Sequence, residues 1–258
     1  MIDLDKIYVA TIAPDCKKVI DKYGVGVELD QFCMAENMYE EKYINILKEL
    51  TDNGYLDVKN KVLHAPFSEL SPASIDPSVL ENAYKRIYRA CEICENLGIK
   101  RMVVHSGYIP RIYFHCWHLE RSIEFWSNVI KKIPDDMVIC VENVMDEKPE
   151  MLVDLVKGVN SPKLLATLDT GHALCASDID PVTWVKVLGP YIGHYHLHEN
   201  DGVDDLHQAI GQGVMDREGV FEAIKGFGRD DATYTIESRD SETTMKWIIE
   251  NLRLTTKL

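Results

Sequence analysis

The sequence predicts a (β/α)8 barrel forming a single domain over residues 1–258, on three observations. A length of 258 residues is usual for one such barrel. Short apolar runs of strand length recur along the chain, and their ends lie 27–41 residues apart, as expected of strand–helix units. The runs end on residues that can bind a metal: Glu28, His64, His105, Glu142, Asp169, His196 and Glu237. A barrel assembles its active site from such residues at successive strand ends.

The first half of the chain predicts four strand–helix units. We expect strands over 6–12, 25–31, 61–67 and 101–106. We expect helices from about Asp15 and over 40–52, 77–97 and 119–132. The third helix follows the turn-forming Ser71 and Pro72, and Gly98 is a suitable C-cap residue at its end.

The second half predicts four more units of the same kind. We expect strands over 137–143, 164–169, 192–198 and 233–237. We expect helices over 149–157, 181–188, 216–225 and 241–252. The total of eight strands is the number that this barrel needs to close.

Composition limits the class of protein. Hydrophobic residues make up 46% of the chain, which supports a sizeable core, and the seven scattered cysteines are typical of reduced thiols. The N-terminus lacks the features of a signal peptide, and no apolar stretch is long enough to span a membrane. We therefore expect a cytoplasmic protein with no membrane partner. The net charge of −14 disfavours nucleic acid as a partner without excluding it, and a homo-oligomer stays open.

Three segments combine imidazole and carboxylate groups. Residues 168–172 place Asp169 at a strand end with His172 three positions later, and Asp205 and His207 lie in a following loop. Between them, residues 194–201 contain three histidines at alternate positions, which point to one face of a strand. This donor set suits Zn²⁺, Mn²⁺ or Fe²⁺ better than Mg²⁺ or Ca²⁺.

These motifs resemble those of the xylose isomerase-like TIM barrels, a superfamily that also contains endonuclease IV-type AP endonucleases. The matching residues are His64, His105, Glu142, Asp169, His172, His196, Asp205, His207 and Glu237. They span most of the predicted barrel.

The resemblance implies a metal centre of one to three divalent ions, Zn²⁺ or Mn²⁺. In both branches of the superfamily, the residues matching Glu142, Asp169, His196 and Glu237 hold one ion. In the endonuclease branch, His64 and His105 would share Glu142 around another zinc. His172, Asp205 and His207 would hold a third. His194 and His198 receive no role from the resemblance.

Two functions are compatible with this pattern. The first is isomerisation or epimerisation of a small sugar or sugar phosphate through an enediolate, with Glu142 and Glu237 as the acid/base pair. His172 would then contact the substrate, Arg111 could reach a phosphate or carboxylate from an aromatic loop, and Glu28 could line the site. The alternative is Zn²⁺-dependent phosphodiester hydrolysis at abasic DNA. A non-enzymatic scaffold would leave the convergent ligands without a purpose.

Overall fold

Eight parallel strands pair in chain order, and the last pairs with the first to close a barrel, in a computed structural model that describes residues 3–68 and 70–252. The strands are β1 Ile7–Ala10, β2 Gly26–Leu29, β3 Lys61–His64, β4 Arg101–His105, β5 Val138–Glu142, β6 Leu164–Asp169, β7 Ile192–Leu197 and β8 Thr233–Ile236. The predicted (β/α)8 barrel is confirmed. Several strands end one to three residues earlier than expected, because the chain turns there into the loops that form the site.

Nine α-helices surround the barrel in the described residues. They are α1 Cys16–Tyr23, α2 Glu40–Asp52, α3 Pro77–Asn96, α4 His115–Ile130, α5 Glu150–Val159, α6 Thr170–Ala176, α7 Pro181–Leu188, α8 Arg217–Phe227 and α9 Ser241–Leu252. Helix α4 begins earlier than expected. Helix α6 was not expected at all, and it forms because Asp169 is its N-cap, accepting a hydrogen bond from the backbone N–H of His172 at 2.6 Å.

The strand register brings the predicted ligands side by side. His105 pairs with Glu142 across β4 and β5, and Asp169 pairs with His196 across β6 and β7. Since all strands are parallel, these residues lie together at the carboxyl-terminal mouth of the barrel.

The barrel separates an apolar outer core from a polar interior. Outward-facing residues such as Tyr195 and Leu197 pack with the helices in the main core. Alternation directs Glu28, His194 and His196 inward, where all three are fully buried. The interior therefore carries ionisable groups directly beneath the mouth. In the described part of the chain, no helix has the length and apolar character needed to cross a membrane.

Candidate metal centre

Four buried side chains from consecutive strands meet at the barrel mouth. Glu142, Asp169 and His196 lie on β5, β6 and β7, and Glu237 follows β8 directly. One donor atom from each of the four lies within 4.8 Å of the others. The structure thus brings together the four-residue centre expected from the sequence.

The donor atoms of this group face one another without forming hydrogen bonds. His196 Nδ1 lies 2.9 Å from Glu237 Oε2, 3.4 Å from Glu142 Oε1 and 3.7 Å from Asp169 Oδ2. Yet His196 Nδ1, Glu142 Oε2 and Glu237 Oε2 are buried with no hydrogen-bond partner among the described residues. Buried polar atoms are rarely left unsatisfied. A divalent cation would satisfy these atoms together, so the residues present fit a metal ion.

A second group shares Glu142 with the first. His64 Nε2 and His105 Nε2 lie 3.5 and 3.8 Å from Glu142 Oε2, and the three residues form another set that could hold a metal. His64 Nδ1 lies 3.0 Å from the carbonyl oxygen of Ala65 and can donate to it, which leaves Nε2 free to accept a metal.

A third group centres on Asp205. Its Oδ2 lies 3.3 Å from His172 Nε2 and 3.2 Å from His207 Nε2. The set compact enough to hold a metal, however, contains His198, Asp205 and His207. His172 contacts Asp205 through Nε2 but does not join that set, and its Nδ1 lies 3.0 Å from the carbonyl oxygen of Asn143.

Burial and close charges shift the pKa values of the histidines in opposite directions. Burial lowers the pKa of His105 to about 3, so this imidazole is neutral and able to bind a metal. Burial opposes protonation of His64 and His207 too, but Glu142 and Asp205 respectively raise their pKa values to about 9.

Burial and close charges also shift pKa values within the four-residue centre. Burial would lower the pKa of His196, but Glu237, Glu28 and Glu142 raise it well above its ordinary value. Burial would raise the pKa of Glu142, but His196 and His105 hold it well below its usual range. Protonated imidazole thus supplies the positive charge here, and a divalent ion would displace that proton.

Glu28 and His194 lie inside the barrel, beneath the four-residue centre. Glu28 lies 3.1 Å from His196 Nε2 and 3.2 Å from His194 Nε2, and the hydroxyl of Thr235 donates to it. His194 Nδ1 lies 2.6 Å from the hydroxyl of Thr233. Glu28 therefore does not line the cavity as expected, since it sits inside the barrel beneath His196. In the sequence, two features could have indicated this buried arrangement: the histidines at alternate positions and the location of Glu28 at a strand end.

His198 connects two of the groups. Its Nε2 lies 3.0 Å from the carboxylate of Asp169, and its ring stacks on that of His207 with centroids 4.1 Å apart. Sequence reasoning placed His198 on the correct face of the strand and assigned it no function.

Two adjoining cavities open above these groups. The first, of about 280 Å³, is lined by Ile12, Asp30, Cys33, His64, Phe67, His105, Glu142, Val144, His172, Asp205, His207 and Glu237. The second, of about 330 Å³, is lined by Phe67, Leu70, Ser71, His105, Gly107, Tyr108, Ile109, Tyr113, Val144 and Met145. Three shared residues, Phe67, His105 and Val144, form the boundary between the two.

The structure does not bring Arg111 to either cavity. This residue is exposed and has a positive φ of 67°, in a turn that precedes α4, and it is not among the residues that line either cavity. The loop contributes Tyr108, Ile109 and Tyr113 to the second cavity instead. The aromatic residues of the loop therefore indicated its contribution to the cavity, whereas its single arginine did not.

Fold and site together define a (β/α)8 barrel with, at its mouth, a carboxylate–histidine cluster that could hold a metal ion. The chain belongs to the xylose isomerase-like TIM barrel family, whose model matches residues 22–258. The resemblance inferred from the motifs is thereby confirmed.

Similar proteins come from both branches of the superfamily. The protein MJ1311 of Methanocaldococcus jannaschii is 32% identical over 226 residues, covering 83% of this chain and 75% of its own. A probable endonuclease 4 of Mycobacterium leprae is 25% identical over 180 residues, or 64% of this chain and 69% of its own. The crystal structure of a D-tagatose 3-epimerase-like protein has a TM-score of 0.76 at 29% identity, covering 96% of this chain and 97% of its own.

Proposed function

We propose that this protein is a divalent-metal-dependent isomerase or epimerase that acts on a small sugar by proton transfer next to a carbonyl group. Glu142, Asp169, His196 and Glu237 would hold the catalytic Zn²⁺ or Mn²⁺. The likeness to the D-tagatose 3-epimerase-like protein supports the reaction class, since it extends over nearly the whole of both chains.

One observation carries the proposal: two glutamates line the same cavity and approach the same imidazole. Glu237 Oε2 and Glu142 Oε1 lie 2.9 and 3.4 Å from His196 Nδ1, and both residues line the first cavity. They come from β5 and from the end of β8, two strands that β6 and β7 separate. A sugar carbon held between them would have a carboxylate available on each side.

The chemistry follows from this placement. Glu142, Asp169, His196 and Glu237 would hold a divalent ion whose Lewis acidity would polarise neighbouring carbonyl and hydroxyl oxygens of the substrate and so acidify the carbon-bound proton. The carboxylate of Glu142 would accept the carbon-bound proton at one face. In an epimerisation, Glu237 would enter the step protonated and donate its proton at the opposite face; Glu142 would then release its proton to solvent and Glu237 would take one up. In an isomerisation, one glutamate would carry the proton between neighbouring carbons.

Other residues would hold the substrate and its two bases in place. His172 and Asp30 line the cavity beside the glutamates and can bond to sugar hydroxyls. Asp169 is fixed by the Asn143 side chain, which accepts from the backbone N–H of Asp169 at 2.9 Å, and by His198. Such rigid support keeps the ligand geometry constant through a proton transfer.

Deuterium exchange tests the proposal. The metal-loaded protein, incubated with ketoses and aldoses in D₂O, should incorporate deuterium next to the carbonyl group. Glu237→Gln should reduce the exchange by at least about a hundredfold, in the range expected for removing a general acid/base. Exchange that is absent from the whole sugar panel, with metal demonstrably bound, would refute the proposed reaction.

Phosphodiester hydrolysis is a second candidate because the site carries more ligands than one ion needs. Two further donor groups lie beside the four-residue centre, one with His64 and His105 and the other with Asp205 and His207. The match to the endonuclease 4 relative also extends over much of the chain. The net charge of −14 disfavours a grip on duplex DNA. Metal-dependent incision of a duplex with one abasic site, without deuterium exchange on any sugar, would favour this candidate.

A further inference from the structure

Carboxylates occupy backbone N–H groups at two places where barrels of this fold often bind phosphate. Barrels of this fold frequently bind phosphate at the loops after the seventh and eighth strands and at a nearby helix N-terminus. Here the buried carboxylate of Glu199 accepts hydrogen bonds from the backbone N–H groups of Gly211 and Gly213, both at 2.8 Å. Two N–H groups in the loop after β7 are thus already occupied by a carboxylate.

The helix after β8 is occupied in the same way. At the N-terminus of α9, Asp15 accepts from the backbone N–H groups of Ser241 and Glu242 at 3.1 and 2.8 Å. Asp240 accepts from the N–H of Thr243 at 3.1 Å. Two carboxylates at this position would repel a phosphate dianion.

The cavities themselves supply no replacement. Among the residues that the structure describes, neither cavity is lined by a lysine or an arginine, the side chains that most often bind phosphate. Four carboxylates and four histidines line the first cavity, and the second carries only neutral side chains, including the shared His105. The described lining of the two cavities therefore offers no lysine or arginine to the phosphate of a phosphorylated sugar.

The second cavity has the character of a site for an uncharged ring. The aromatic rings of Tyr108 and Tyr113 and the side chain of Ile109 give it apolar walls. Its hydroxyl groups come from Ser71 and Tyr113, which lie 2.6 Å apart and can each exchange that bond for one to a ligand. A sugar ring matches this lining, because it presents apolar C–H faces and hydroxyl edges.

The two cavities adjoin at the ring of His105, which stacks on Phe67 with centroids 4.3 Å apart. Each cavity alone is close to the lower end of the usual range for small-molecule pockets, about 300–1,000 Å³. A ligand that spans both would have its reacting end at the metal centre and its remainder against the aromatic loop.

We propose that the substrate is an unphosphorylated sugar carrying a second ring, a glycosyl residue, which the second cavity binds. This inference rests on the proposed isomerase or epimerase function and names its substrate class. Glu142 and Glu237 act on the reducing sugar in the first cavity, and the aromatic loop selects for the attached ring.

Two matched series of sugars test the inference with the metal-loaded protein. D-fructose, D-fructose 6-phosphate and isomaltulose share one ketose and carry at O6 a proton, a phosphate and a glucosyl ring. D-glucose, D-glucose 6-phosphate and isomaltose form the same series for an aldose. We expect the glucosyl ring to raise kcat/KM for deuterium exchange, or affinity by calorimetry, at least tenfold over the parent sugar in one series. The phosphate should give no gain.

Substitutions in the second cavity test whether the preference for the two-ring sugar arises there. Ser71→Trp narrows this cavity, and Ile109→Ala removes one of its walls, so each should reduce the preference for the two-ring sugar several-fold. Ile75→Trp is the control, since Ile75 is 64% exposed and lines neither cavity. The control should keep the wild-type preference.

The outcomes separate this inference from the proposed function. If no sugar exchanges deuterium, the proposed function fails, and the comparison of binding affinities still decides the glycosyl site. If single-ring sugars exchange and the second ring brings no gain in activity or affinity in either series, the function stands and the inference is overturned. A preference for the phosphate esters also overturns it.

Discussion

The carboxylate of Glu28 lies 3.1 Å from Nε2 of His196, on the opposite side of the imidazole from the metal-centre carboxylates. Nδ1 of the same ring faces Glu237 at 2.9 Å. A hydrogen bond from Nε2 to Glu28 fixes the tautomer in which Nδ1 is the metal ligand. His194 contacts the other oxygen of Glu28, so the orientation of His196 depends on a buried chain of polar groups.

Glu28→Gln is therefore expected to weaken metal binding without removing a ligand. Loss of such an outer partner typically costs 10–100-fold in metal affinity, and we expect a decrease of about that size. Competition with a chromophoric chelator measures it. Asp146→Asn is the matched control, because Asp146 is also a buried carboxyl but bonds to Ser106. If Glu28→Gln binds metal as tightly as this control, Glu28 does not position His196.

Removal of metal should destabilise the fold. Glu142, Asp169 and Glu237 are crowded together at the barrel mouth, and a bound ion stabilises the folded state by mass action. At an ion concentration about a hundredfold above Kd this stabilisation is about 2.7 kcal/mol. We expect Tm near pH 7 to fall by roughly 5–10 °C when a chelator is added. Calorimetry with and without chelator checks this, and an unchanged Tm contradicts it.

Asp30 should make the metal-free protein less stable as pH rises. Burial, together with Glu28 and Glu237, raises the pKa of Asp30 from 3.8 to about 7. Between these values the folded protein holds a proton that the unfolded chain has lost, so stability decreases as pH rises from 3.8 to about 7.

Asp30→Asn removes this ionisation and keeps an acceptor for the backbone N–H of Ile12. The variant should match the wild type near pH 4 and exceed it at pH 8 by on the order of 1–3 kcal/mol. Urea unfolding at both pH values measures the difference. The exposed Asp204→Asn serves as control and should show no such pH dependence. An equal effect of both substitutions would mean that burial and the neighbouring carboxylates do not raise the pKa of Asp30.

The sequence allowed the barrel and the convergence of its ligands to be predicted because both depend on simple periodicities. Alternation along β7 and into the residue after it determines that His194, His196 and His198 share a face, and parallel strands bring their ends to one mouth. Alternation does not reveal depth, however. Glu28 therefore looked like a cavity residue, although it lies one layer below.

Loop conformation was the other obstacle. Arg111 adopts a positive φ, and no local pattern indicates which way such a turn directs its side chain. Helix α6 was missed because Asp169, read as a strand end, is also the N-cap of the helix that follows. The position of His172 depends on that cap, so its separation from His207 could not be inferred from spacing.

Metal content of the wild type and of Asp169→Asn is the measurement that tests the four-residue centre most directly. Both proteins are dialysed against Zn²⁺ or Mn²⁺ and then against metal-free buffer, and elemental analysis gives ions per chain. We expect at least one ion in the wild type and a clear loss in Asp169→Asn, whose neutral amide is a poorer ligand. A wild-type protein that retains no transition metal after this treatment would contradict the assignment of Glu142, Asp169, His196 and Glu237 as a metal centre.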